Sequence, residues 1–108
     1  MEVFIKAAYS IEVEGFVINS KVINILREVN KTGSLNSAVS NLGMSYSYAW
    51  NLIYKTGCQL ECPLIVSRKG GNGGGVAKLT EGGIKLLNYC DQFESDLSNF
   101  TGVRSITL

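Results

Sequence analysis

Gly33 and Gly43 constrain this chain more than any other pair of residues, because they cut its middle into helices too short to stand alone. Before Gly33, the apolar residues Val22, Ile25, Leu26 and Val29 recur at helical spacing behind a capping Asn19 or Ser20. Gly33 ends that helix in the manner of a C′ residue. Ser34 then opens a short helix with Leu35, Ala38, Val39 and Leu42 facing inward, and Gly43 closes it. Isolated helices below about 12–15 residues are marginal in water, so this one must be packed by its neighbours. A third helix opens at Ser45 with Ala49, Trp50, Ile53, Gly57 and Leu60 on its apolar face. Pro63 marks its limit, since a proline disfavours helix at the residue before it. The spacing predicts a three-helix unit over 20–62, with Ala38 small where the next helix crosses and with Tyr46 and Trp50 in the core.

The flanks follow other periods. Val3, Ile5, Ala7, Tyr9, Ile11 and Val13 alternate with largely polar positions, which predicts one N-terminal strand over 1–15, bent or ended at Gly15. Such a strand must pair with another segment or another subunit. Leu64–Arg68 and Val76–Thr80 are strand-like and flank Gly70-Gly71-Asn72-Gly73-Gly74-Gly75, so a hairpin is expected over 64–80. Thr80 can cap a long last helix over 81–100. On it Leu86, Cys90, Phe93, Leu97 and Phe100 step by four, three, four and three, the rhythm of a helix–helix seam. The last residues, Thr101–Leu108, read as a short strand or tail. At 108 residues the chain is expected to be one domain, 1–108.

Composition removes whole classes of chemistry. With no histidine, neither a Ser-His-Asp nor a Cys-His nucleophile can be assembled, nor a histidine zinc site. Cys58, Cys62 and Cys90 are too few and too unevenly placed for a disulfide scaffold; a helix would bring Cys58 and Cys62 onto one face, but reduced thiols are the expectation. The glycine run has no following Gly-Lys-Ser/Thr and so no phosphate-loop lysine. Neither a cofactor nor a metal is expected, and the chain is not expected to be an enzyme. No apolar run reaches the roughly 18 residues of a membrane span, and Glu2 and Lys6 spoil a signal peptide, so the expected location is cytoplasmic. Net charge is +1, but between Ser45 and Lys85 five cations (Lys55, Arg68, Lys69, Lys78, Lys85) face two anions (Glu61, Glu81). That is a modest basic footprint.

The order strand, three helices, hairpin, helix is that of a winged helix-turn-helix: mainly α with a small β wing, an N-terminal strand and a long C-terminal dimerisation helix. In such a motif the second helix of the pair enters the major groove. TGSLNSAVSNLGMSYSYAWNLI followed by PLIVSRKGGNGGGVAKLTEGG resembles the DNA-binding domain of the ModE family of molybdate-responsive transcriptional regulators, over roughly Val22 to Tyr89. Ser45-Tyr46 with Ala49-Trp50, and the polyglycine wing before Leu79-Thr80, distinguish it from the related LysR-type helix-turn-helix. The resemblance implies binding of double-stranded DNA. Full-length members continue into molybdate-binding β-barrel domains; the expectation here is a stand-alone chain without them, so molybdate sensing is not carried over. Ser47 and Tyr48 stand where the family commonly has a lysine or arginine.

On this reading Ser47, Tyr48 and Asn51 contact bases, asparagine being suited to a bidentate contact with adenine. Ser45, Lys55, Arg68, Lys69, Gly71, Asn72, Gly73 and Lys78 contact phosphates. Leu86, Cys90, Phe93, Leu97 and Phe100 form the interface of a homodimer. Any effector would come from a separate partner that the sequence does not identify. The alternative is a winged-helix module for protein–protein interaction without DNA.

Overall fold

The computed structural model describes residues 1–5, 7–68, 75–101 and 104–108. Among these the chain runs β1 (Glu2–Ile5), β2 (Ile11–Val13), β3 (Phe16–Ile18), α1 (Ser20–Thr32), α2 (Leu35–Leu42), α3 (Tyr46–Gln59), β4 (Ile65–Arg68), β5 (Val76–Leu79), α4 (Glu81–Thr101) and β6 (Arg104–Thr107). The architecture is α+β, mostly helical, with antiparallel pairs β1–β6, β2–β3 and β4–β5.

The core is organised around α1. Asn19 caps it by accepting the Lys21 amide at 2.9 Å, and Gly33 ends it at φ +70°, donating its N–H to the Val29 carbonyl at 2.8 Å. Val22, Ile25, Leu26 and Val29 have no exposed surface, and around them lie α2, α3, α4 and β5. Ser34 caps α2 through the Ser37 amide at 3.1 Å, and Gly43 ends it at φ +67°, a conformation that costs a side chain energy. Ala38 and Ala49 are fully buried on α2 and α3, as the need for a close crossing predicts. The Gly33 carbonyl also accepts the Ala77 amide at 2.9 Å, so the turn between α1 and α2 holds β5 in place.

Three local expectations need correction. The N-terminal segment is not one strand: β1 pairs with β6 across Glu2↔Thr107 to Ile5↔Arg104, whereas β2 turns back on β3. Glu14 at φ +43° and Gly15 at φ +91° form the turn between β2 and β3, and two successive positive φ values match the twist of a tight hairpin. The period-two pattern runs across the break because Tyr9, though exposed, packs on α4. Its hydroxyl donates to Glu94, and its ring meets Phe93 edge-on with centroids 4.9 Å apart. Second, α3 stops at Gln59, short of Pro63. The Glu61 amide donates to the Cys58 carbonyl and the Cys62 amide to the Gly57 carbonyl, a Schellman ending with Glu61 left-handed at φ +55°. Cys62 therefore lies beyond the helix rather than on a shared face with Cys58. Third, Tyr46 and Trp50 are 44% and 42% exposed, not core. The buried arc of α3 is centred on Ala49, Ile53 and Thr56, and Trp50 lies about a quarter turn from its middle.

The first turn of α4 is held by close packing. The Thr80 hydroxyl accepts the Gly83 amide at 3.0 Å and donates to the Pro63 carbonyl at 2.6 Å, while the Thr80 amide donates to the Leu64 carbonyl at 3.0 Å. A Cβ on Gly82 would strike the Cys62 sulfur, and one on Gly83 would strike the Leu64 carbonyl oxygen. Gly83, Leu87 and Cys90 bury the first half of the helix, and burial pushes the Cys90 thiol up, the state of an unreactive core cysteine. From Asp91 to Phe100 the residues are exposed except Leu97, which is half-buried. Arg27 on α1 pairs with Asp91 and Glu94 and ties this outer half back to the body.

Two outcomes follow. Gly83→Ala should destabilise the protein by about 1–3 kcal/mol, the usual cost of overpacking, seen as a lower thermal midpoint. Burial and the Glu94 carboxylate raise the Tyr9 pKa from 10.0 to about 12. Between those values the folded state keeps a proton that the unfolded chain loses. The stabilisation is thus complete below pH 10 and fades as pH rises towards 12. In Tyr9→Phe, absorbance titration at 295 nm should lack a phenol ionising near pH 12, and the alkaline loss of stability should be smaller.

Candidate nucleic-acid interface

The exposed arc of α3 opposite Ala49 and Ile53 carries Ser47, Tyr48, Asn51 and Lys55, all exposed. This is the grouping that helical spacing predicts, and the structure brings the three residues expected to touch bases onto one side of one helix. Ser45 accepts the Tyr48 amide at 3.2 Å as N-cap, so its hydroxyl fixes where the helix begins. The first turn of α3 is thus anchored at one end by that cap. It is anchored below by the fully buried Ala49. Lys55 is the one charged residue within α3, so the face is polar rather than basic.

One cation that sequence reasoning missed lies beside this face. Lys21, at the start of α1, donates to the Tyr48 hydroxyl at 3.5 Å and sits 5.3 Å from its ring centroid. It is 27 residues away in sequence, and a cation in the first turn of a helix opposes the helix dipole, so no local pattern singles it out. The Tyr48 hydroxyl already has a partner in Lys21, and the two side chains form one polar unit at the edge of the α3 face.

The β4–β5 hairpin stands next in the chain. Val66 pairs with Lys78 and Arg68 with Val76, so Arg68 and Lys78 share its exposed face with two exposed valines. Ala77 and Leu79 face inward. Lys69, Gly71, Asn72 and Gly73, the remaining expected phosphate contacts, lie outside the described residues.

The stripe expected to form a dimer is divided. Cys90 is 2% exposed and Leu86 half-buried, both against the protein's own core, whereas Phe93 is 44% and Phe100 84% exposed. Among the described residues no group of His, Cys, Asp or Glu is placed to hold a metal ion, and no helix is long and apolar enough to cross a membrane.

Three capped helices followed by an antiparallel hairpin and a long helix define an α+β domain with a polar, solvent-facing helix as its most site-like feature. The fold is shared with a solved structure, ArgP from Mycobacterium tuberculosis, at TM-score 0.59 and 22% identity over 76% of this chain and 29% of that one. No family model matches the sequence. Sequence relatives are nonetheless clear: the molybdenum transport protein ModE of Herbaspirillum seropedicae is 36% identical over 65% of this chain. The molybdenum-pterin-binding protein MopB of Rhodobacter capsulatus is 31% identical over 71%, and the transcriptional regulator ModE of Haemophilus influenzae 31% identical over 75%. The chain is a relative of the ModE family, as its motifs indicated. It spans 26%, 28% and 32% of those three proteins. These relatives are named for regulation, transport and molybdenum-pterin binding.

Proposed function

We propose that this chain is a winged helix-turn-helix unit that binds duplex DNA as a homodimer and serves transcriptional regulation. The observation that carries the reading is the exposed face of α3. A helix held by a serine cap and two buried alanine crossings offers Ser47, Tyr48, Asn51 and Lys55 to solvent, followed by a hairpin with two outward cations. Relatives named as transcriptional regulators support it. Ser47, Tyr48 and Asn51 read bases; Lys55, Arg68 and Lys78 hold phosphates, joined by Lys69, Gly71, Asn72 and Gly73 of the wing. Ser45 contributes as the cap that aims the first amides of α3 at the backbone. Lys21 is added as a further phosphate contact through its position beside Tyr48.

The dimer uses the outer half of α4. Phe93, Leu97 and Phe100 continue the apolar stripe past the point where the protein's own core ends at Cys90. Leu86 and Cys90 support that helix from within.

The reading is tested by selecting bound sites from random duplex DNA. A palindromic consensus supports both DNA binding and two-fold symmetry; a chain that retains no duplex even at low salt is instead a protein-interaction module. With a selected site in hand, Asn51→Ala should lose about 1–3 kcal/mol of discrimination at one base pair while random-duplex binding changes little. Arg68→Ala with Lys78→Ala should weaken specific and random duplex alike, and flatten the slope of log K against log salt by about 0.9 per lost phosphate contact. Phe93→Glu with Phe100→Glu should give folded monomers by light scattering.

A further inference from the structure

A cleft of about 360 Å3 lies between α3 and β4, on the side of α3 turned towards the hairpin. We propose that it is a binding site for a small organic cation, a quaternary or protonated amine carried on an apolar body. The inference goes beyond DNA binding and stands independently of it.

Size is the first requirement, and about 360 Å3 falls within the roughly 300–1,000 Å3 of small-molecule sites. Trp50 and Tyr54 form one wall, stacked with ring centroids 5.0 Å apart and planes within 10° of parallel. Both rings remain partly exposed in spite of that stack. Their faces are electron-rich and attract cations, indole most strongly. Ile53 and the buried Leu64 provide an apolar floor.

Charge selects the ligand. Glu61 lines the cleft, and among the described residues no lysine or arginine does. Among the described residues the Glu61 carboxylate has no hydrogen bond or ion pair. Glu61 also occupies a left-handed backbone position, φ +55°, that glycine would take without strain. A side chain that costs backbone energy, and contributes nothing to the fold's polar contacts, marks a position where the carboxylate itself matters. An aromatic wall that shares a cleft with a carboxylate residue unpaired among the described residues is the chemistry that recognises an ammonium group, and it repels phosphate. The cleft is therefore no extension of the DNA face.

Trp50 is the chain's single tryptophan, so its emission reports on this cleft alone. The protein without DNA is titrated with benzyltrimethylammonium, with benzyl alcohol as the neutral counterpart and benzenesulfonate as the anion. The expected result is a saturable change in emission with the cation, weaker binding of the alcohol by about two- to fivefold, and none of the sulfonate. Glu61→Gln should remove that preference for the cation. Glu61→Gly should do the same while raising the thermal midpoint, which separates loss of the carboxylate from loss of folding. Equal binding of cation and alcohol, full cation affinity in either variant, or no saturable change would overturn the proposal. A cation-binding chain that retains no duplex in the selection experiment upholds the cleft and sinks the DNA reading; the reverse sinks the cleft alone.

Discussion

The rest of the molecule depends on the burial of one face of α1. Val22, Ile25, Leu26 and Val29 are sealed from solvent by four other elements. Removing four such side chains from water is worth about 1.5–3 kcal/mol each, and α2, eight residues long, could not form without that surface to lie on. The Gly33 turn extends the same constraint: its left-handed φ sends the chain back across α1, and its free carbonyl catches the Ala77 amide of β5. One turn thus fixes where the short helix starts and where the hairpin stands relative to it.

What was legible in the sequence was what local periodicity and capping determine. Gly33, Gly43, Asn19, Ser34, Ser45 and Thr80 each act at the helix end that their residue type indicates, because a cap is satisfied within a few residues of itself. The β4–β5 strands were legible for the same reason, being short apolar runs on either side of a glycine-rich segment. Two of the misread features depend on long-range contacts. Tyr9 fits the alternation of a strand, yet its partners Phe93 and Glu94 lie on α4, 84 and 85 residues on. β1 finds β6 at the other end of the chain, and nothing near β1 encodes that pairing.

The site was legible in its polar half and not in its aromatic half. Ser47, Asn51 and Lys55 share a face by spacing alone, so any helix beginning at Ser45 must group them. Tyr46 and Trp50 were assigned to the core because large apolar residues commonly lie inside. The arc that α3 buries is filled instead by small and β-branched residues, Ala49, Ile53, Thr56 and Gly57, which let neighbouring elements approach too closely for an indole. A Cβ on Gly57 would lie 3.1 Å from the Cys62 carbonyl oxygen, so the end of α3 is drawn tightly under its own C-terminal turn. Trp50 is pushed to the edge of that close-packed seam. Lys21 escaped notice for the opposite reason, since its relation to Tyr48 exists only once α1 and α3 have crossed.

These packing decisions give α3 two unlike surfaces. Its outward face is polar and carries one cation, whereas the flank towards β4 is aromatic and ends at the carboxylate of Glu61. A single element therefore separates a polar surface from an aromatic one. The separation is enforced at both ends of the helix. Ser45 fixes the first turn by capping, and the Schellman ending at Glu61 fixes the last, each through hydrogen bonds to the helix's own backbone. Shifting either end by one residue would rotate the side chains by about 100° and bring Trp50 or Lys55 into the wrong surface. The two caps do more than terminate α3: they set which of its residues meet solvent beside the hairpin and which meet solvent away from it. The strained Glu61 is the point at which that register is imposed at a cost in backbone energy.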